Sequence, residues 1–130
     1  MPSIVGTWKL VHAVARDAAG AARPSPYGPK AMGRVTFTAD GRMMSVVCDG
    51  RASLPTGASR DYSSYCGTYT FDGARLVTRV DAASDPSRIG SDQERGVRFE
   101  GEHMILSPPP RRTGESIEYR ELTWERIAAE

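Results

Sequence analysis

The chain's 130 residues are enough for one hydrophobic core and too few for two ordinary domains, so residues 1–130 are expected to form one domain. Seventeen basic and sixteen acidic residues are interspersed and leave a formal net charge of +1, which offers neither a basic stripe for nucleic acid nor a charged patch for a membrane. The start, MPSIVGTW, has no basic n-region and no apolar run of signal length, and no uncharged stretch is long enough to cross a bilayer, so a cytoplasmic protein is expected.

Short alternating segments bounded by Gly, Pro and Asp recur along most of the chain, the pattern of an antiparallel sheet. The first predicted strand, Thr7 to Val14, puts Trp8, Leu10, His12 and Val14 on one face and Thr7, Lys9, Val11 and Ala13 on the other. Residues 15–33 follow as an Ala/Gly/Pro-rich connection, broken by Pro24, Pro26 and Pro29 and suited to act as a lid. A hairpin comes next, with Val35 and Phe37 alternating with Arg34, Thr36 and Thr38. It turns at Asp40-Gly41, a pair that suits a type I′ turn, and returns from Arg42 to Cys48. Alternation there sends one of Met43 and Met44 inward and the other outward.

After a loop over residues 51–64, a second hairpin turns at Asp72-Gly73, with Tyr65, Tyr69 and Phe71 alternating with Cys66, Thr68 and Thr70. Gly67 relieves crowding or marks a bulge. A polar loop leads to a third hairpin, QERGVRFEGEHMILS, turning at Glu100 to Glu102, and PPPRRTGES separates it from a last strand, Ile117 to Ile127. About eight strands result, joined mostly by hairpins. An eight-stranded antiparallel up-and-down barrel fits them, because closure removes exposed edges and leaves an interior for one small ligand. A two-sheet sandwich is the competing architecture.

Cys48 and Cys66 fall in separate strand-like segments, where reduced thiols are expected and a disulfide is the alternative. His12 and His103 are isolated and no Cys-x-x-Cys occurs, so no metal centre and no cofactor are expected. The chain has no phosphate-cradling Gly loop, dinucleotide fingerprint or Ser-His-Asp set.

Gly6-x-Trp8 at the start and Arg126 near the end resemble the Gly-x-Trp signature and the closing arginine of lipocalin and wider calycin barrels. Further along, PYGPKAMGRVTFTADGRM, YCGTYTFDG, GSDQERGVRFEG and LTWER, together with GTWKL, resemble the lipocalin-like domain proteins of bacteria and fungi, in order and over nearly the whole chain. The resemblance implies a lipocalin-like barrel in which Gly6, Trp8 and Arg126 form a structural plug. A planar guanidinium can stack on an indole and still donate to carbonyls at the chain entry. Related small barrels include carriers of apolar molecules and cofactor-free cyclases and isomerases, so the resemblance implies a pocket without choosing its use. Where the family often has histidine, this chain reads RLVTRVD, with Thr78 and Arg79. Gln93 and Arg95 fit the family's Q-x-R positions.

His12, on the Trp8 face, is expected in the pocket, where an imidazole can exchange a proton or hydrogen-bond a ligand. Arg95 shares a face with Val97 and Phe99. If buried it needs a carboxylate, a Tyr oxygen or an anionic ligand, and Glu118 is the reasonable internal partner. Parity with Leu122 and Trp124 puts Glu118 and Arg120 on the same face. The leading expectation is a monomeric or homodimeric barrel holding a small, largely apolar or aromatic molecule against His12, Phe37, Tyr65, Tyr69, Arg95 and Phe99. The alternative is a cofactor-independent isomerase, cyclase or hydratase, in which His12 or Glu118 moves a proton and Arg95 or a Tyr hydroxyl stabilises an oxyanion.

Overall fold

In a computed structural model that describes residues 3–129, the alternating segments become ten strands of one sheet. They are β1 (Gly6–Asp17), β2 (Ala22–Arg23), β3 (Ala31–Phe37), β4 (Arg42–Asp49), β5 (Tyr62–Phe71), β6 (Arg75–Ala83), β7 (Asp92–Glu100), β8 (His103–Ser107), β9 (Arg111–Thr113) and β10 (Ser116–Ala128). One short 3-10 turn, Pro86–Arg88, lies between β6 and β7. Among the described residues no helix is long and apolar enough to cross a membrane.

Eight of the strands close into an antiparallel barrel, because β10 returns to pair with β1 from Thr7↔Ala128 to Asp17↔Glu118. That pairing removes the sandwich alternative. The strands β2 and β9 are short ladders laid on β1 and β10. Connections are unequal at the two ends. The β3–β4, β5–β6 and β7–β8 turns are tight and share one end with Trp8 and Arg126, whereas residues 18–30, 50–61, 84–91 and 108–115 ring the other end. The hairpins differ from the expected type I′. Only Gly41 and Gly73 have positive φ in the first two turns (96° and 104°), and a type I′ turn needs two such residues.

The first strand also departs from simple alternation. Leu10 faces Trp124 while His12 faces Thr123, so Val11 is an extra residue, a bulge. Inward positions therefore run Trp8, Leu10, Ala13, Ala15, all buried, and His12 is exposed on the outer wall. The expectation that His12 points into the barrel is corrected: the extra residue flips the parity beyond Leu10. A second irregularity falls between Cys66 and Gly67, where a Cβ on Gly67 would lie 1.9 Å from the Arg79 carbonyl oxygen, so only glycine fits.

Large side chains fill the closed half. Trp8, Trp124, Phe37, Leu76, Met104 and Val35 are essentially inaccessible, Phe37 meets Tyr69 edge-to-face at 5.2 Å, and Phe71 meets Phe99 at 6.4 Å. Met43 is the inward member of its pair and Met44 the outward one. Cys48 and Cys66 are unpaired. Met44 faces Cys66 and Tyr62 faces Cys48, so the thiols sit four residues apart along the outer wall, about 13 Å and beyond disulfide reach.

At the base, the Arg126 guanidinium lies 4.4 Å over the Trp8 ring and donates to the carbonyls of Val5 and Ser3. The Trp8 indole N–H donates to the Ile4 carbonyl at 2.9 Å. Gly6, at φ 128°, passes so close that a Cβ would stand 2.5 Å from the Ala128 carbonyl oxygen and 3.1 Å from Arg126 Nη1.

Candidate ligand cavity

Above this packed base the interior opens into a cavity of about 270 Å³. Six strands shape it through parity, with Val35 inward from β3 and Arg95 from β7. Met43, Ser45 and Val47 point in from β4, Ser63 and Tyr65 from β5, and Leu106 from β8. From floor to mouth, β10 contributes Trp124, Leu122, Arg120 and Glu118. The small Ala13 and Ala15, turned inward by the β1 bulge, add little bulk at the upper wall.

The polar groups are concentrated toward the mouth. Among the described residues, Arg88, Arg95, Arg111 and Arg120 line the cavity with a single carboxylate, Glu118, so four guanidinium groups face one acid. Glu118 is buried and accepts from Arg120 Nε at 2.6 Å. The expected Arg95–Glu118 pair is therefore not formed: residues two apart on one strand share a face, and Arg120 reaches the carboxylate first. Arg95 donates to the Glu94 carbonyl at 2.7 Å and meets no carboxylate among the described residues. Arg88 lies 4.5 Å over the Tyr65 ring and donates to Ser63 Oγ and to Gln93 Oε1 (2.7 Å), while Gln93 Nε2 donates to Ser91 Oγ. Its own loop is fixed by Asp85, whose carboxylate caps the 3-10 turn at Ser87; those hydrogen bonds hold the acid below its ordinary range.

The loops around the mouth are pinned as well. Asp49 is buried and accepts from the Arg51 side chain and backbone, which keeps its carboxyl below the usual carboxylate range. Arg60 donates to the carbonyls of Asp49 and Arg51. Gly28 stands so close that a Cβ would lie 2.8 Å from Asp49 Oδ2. Next to it, Tyr27 is held at φ 63° and reaches the cavity wall from the β2–β3 connection.

One buried donor stands out. Trp124 lines the cavity, is 2% exposed, and its indole N–H has no hydrogen-bond partner among the described residues. Thr78 Oγ1 is similarly unpartnered, although Thr78 is outside the lining.

Of the residues singled out from sequence, Tyr65, Arg95 and Glu118 come together at the cavity. Phe37, Tyr69 and Phe99 face inward but pack in the closed half below it, the Tyr69 hydroxyl donating to the Thr38 carbonyl at 2.7 Å. His12 is on the outer wall, beside a separate surface hollow. Arg88, Arg111, Tyr27 and Ser63 were not singled out. The Asp-Pro-Ser opening of the 3-10 turn was the available signal for a fixed loop at Arg88.

A larger hollow, about 780 Å³, lies along the outside of β3–β6 and is lined largely by outward groups such as Met44, Val46 and Tyr62. It is an open trough in which Asp81 engages both Arg42 and the Cys66 thiol, and burial together with that acid pushes the thiol pKa up, away from nucleophilic character. The interior cavity, where Arg88 and Arg95 meet only neutral oxygens and the Trp124 N–H is orphaned, is the better candidate.

Comparison with curated proteins and with solved structures found no match. The model of the lipocalin-like domain family matches residues 5–127, from the strand that carries Gly6 and Trp8 to the residue after Arg126. With nearly the whole chain covered and the barrel closed as described, the protein belongs to the lipocalin-like domain family.

Proposed function

We propose that this barrel binds one small molecule with an apolar or aromatic body in the interior cavity. The observation that carries the reading is the unequal barrel: a sealed base, and above it an enclosed space whose floor is apolar. The volume, about 270 Å³, lies at the small end of ligand pockets and suits a molecule of about one ring. Its body packs against Trp124, Leu122, Leu106 and Val35. Burying one aromatic ring removes ~150–250 Å² from water, worth about 4–6 kcal/mol at ~25 cal/mol per Å² before association costs. Apolar contact alone therefore gives no better than about millimolar affinity, and the polar groups must supply the rest.

Native mass spectrometry of protein purified from its own host tests the reading. A bound organic mass, lost in Val47→Phe, is the expected result. A barrel that arrives empty and takes up nothing from its host's small-molecule extract would sink it.

A cofactor-independent isomerase, cyclase or hydratase is the second reading, favoured by the buried Glu118 carboxylate at the cavity wall. Such an enzyme would use Glu118 as its acid–base group, with a neighbouring arginine on the developing oxyanion. Glu118→Gln should then lower turnover about a hundredfold or more while leaving ligand affinity within a few-fold.

A further inference from the structure

Resting on the reading that the cavity holds a small molecule, we infer that its ligand is an organic acid, entered ring first, with the carboxylate received between Arg95 and Arg88. The charge distribution points there. On the outer wall Arg42, Arg75, Arg79 and Arg98 each contact a carboxylate within 4 Å, namely Asp81, Glu94, Asp92, and Glu100 with Glu121. Inside, Glu118 is already engaged by Arg120, and no other acid among the described residues lines the space. Arg95 and Arg88 are both half-buried, and the oxygens they reach, on the Glu94 backbone, Ser63 and Gln93, are all neutral. Cations drawn partly out of water without a counter-charge are costly, and an incoming carboxylate relieves that cost while matching the guanidinium fork.

The two arginines are neighbours by construction. Arg88 grips Gln93, and Gln93 and Arg95 are successive inward residues of β7, about 7 Å apart. Stacking on Tyr65 holds the Arg88 plane still, so the fork is pre-set. Depth supplies an independent observation. The orphaned indole N–H of Trp124 belongs to the floor, where the ligand body would sit, and it selects a body bearing a hydrogen-bond acceptor such as a ring oxygen, carbonyl or phenol. The cavity thus reads an acid at its mouth and an acceptor at its base, with apolar walls between.

Matched probes separate this inference from the underlying reading. One-ring carboxylic acids (benzoate, 4-hydroxybenzoate, cinnamate) and their neutral amides would be titrated calorimetrically into the full chain, into Arg95→Met and into Arg88→Met. Each acid is expected to bind at least tenfold more tightly than its amide. Arg95→Met should remove that preference, with far-UV circular dichroism and urea unfolding reporting that the variant is folded; Arg88→Met should do the same more weakly. Acids and amides binding alike to the unmodified chain would overturn the inference and leave the cavity reading standing. Binding of neither set would overturn the inference, and only an empty barrel that also takes up nothing from its host's extract would overturn the reading beneath it.

Discussion

Trp8 and Trp124 are both 2% exposed and lie close together on adjacent strands near the closed end of the barrel, yet one seals the base and the other floors the cavity. The N–H of Trp8 is satisfied by Ile4, its face is covered by Arg126, and the backbone of Gly6 closes over the pair. Trp124 has an unpartnered N–H and lines open space. The difference teaches how the molecule divides its labour. At the base the polar groups are paired and the interior is structure, whereas at the cavity floor a donor is left for something else to meet.

The sharpest way to break the comparison is at the base. Trp8→Ala should cost about 3–5 kcal/mol of unfolding free energy by urea titration, the range for a large core aromatic. A smaller loss, about 1–2 kcal/mol, is expected for Arg126→Met, which keeps the stem and removes the cation and its carbonyl contacts. If Arg126→Met unfolds no more easily than the unmodified chain, the plug role fails.

Replacing each indole by Phe compares the two sites directly. Trp8→Phe should lose more stability than Trp124→Phe by about 1 kcal/mol or more, since only Trp8 forfeits a hydrogen bond. Equal losses would mean that the Trp124 N–H is satisfied after all.

A pH comparison sharpens the mouth. Hydrogen bonds from Arg51 lower the Asp49 pKa below its ordinary 3.8. A group depressed in the folded state contributes stability in full above its unfolded value and loses that contribution as pH falls through its folded value. The melting temperature of Asp49→Asn should therefore sit below that of the unmodified chain at neutral pH, and the gap should shrink as the pH drops below 3.8. A gap that is constant down to acid unfolding would remove the ion pair as its cause. The smallest effect is expected for His12→Gln, within about 0.5 kcal/mol and with probe affinity unchanged, because His12 is outside the barrel.

Much of this was legible in the chain. Alternation located the hairpins, the Gly-x-Trp with its distant Arg marked the base, and parity with Trp124 turned Glu118 and Arg120 inward. Two kinds of information were missing. The first is bulges: Gly67 announces one because no side chain fits, whereas Val11-His12 is chemically ordinary, so the misplacement of His12 followed from a single unmarked extra residue. The second is depth. Alternation says which face a residue takes but not how far up a staggered, tilted wall it lies, and so Phe37, Tyr69 and Phe99 were expected beside a ligand when they belong to the packing beneath it. Arg88 depends on both a loop conformation and a neighbouring strand, which no local pattern encodes.

The extra residue in β1 has a consequence for how this wall tolerates change. A strand is read two residues at a time, and Val11 is a spare letter: a chain lacking it would keep Ala13 and Ala15 in phase with the interior and His12 in phase with solvent. Losing any single residue between Ala13 and Asp17 would instead throw every later side chain out of frame. Length variation in this strand is therefore confined to one point, just below the chamber that its alanines help to keep open.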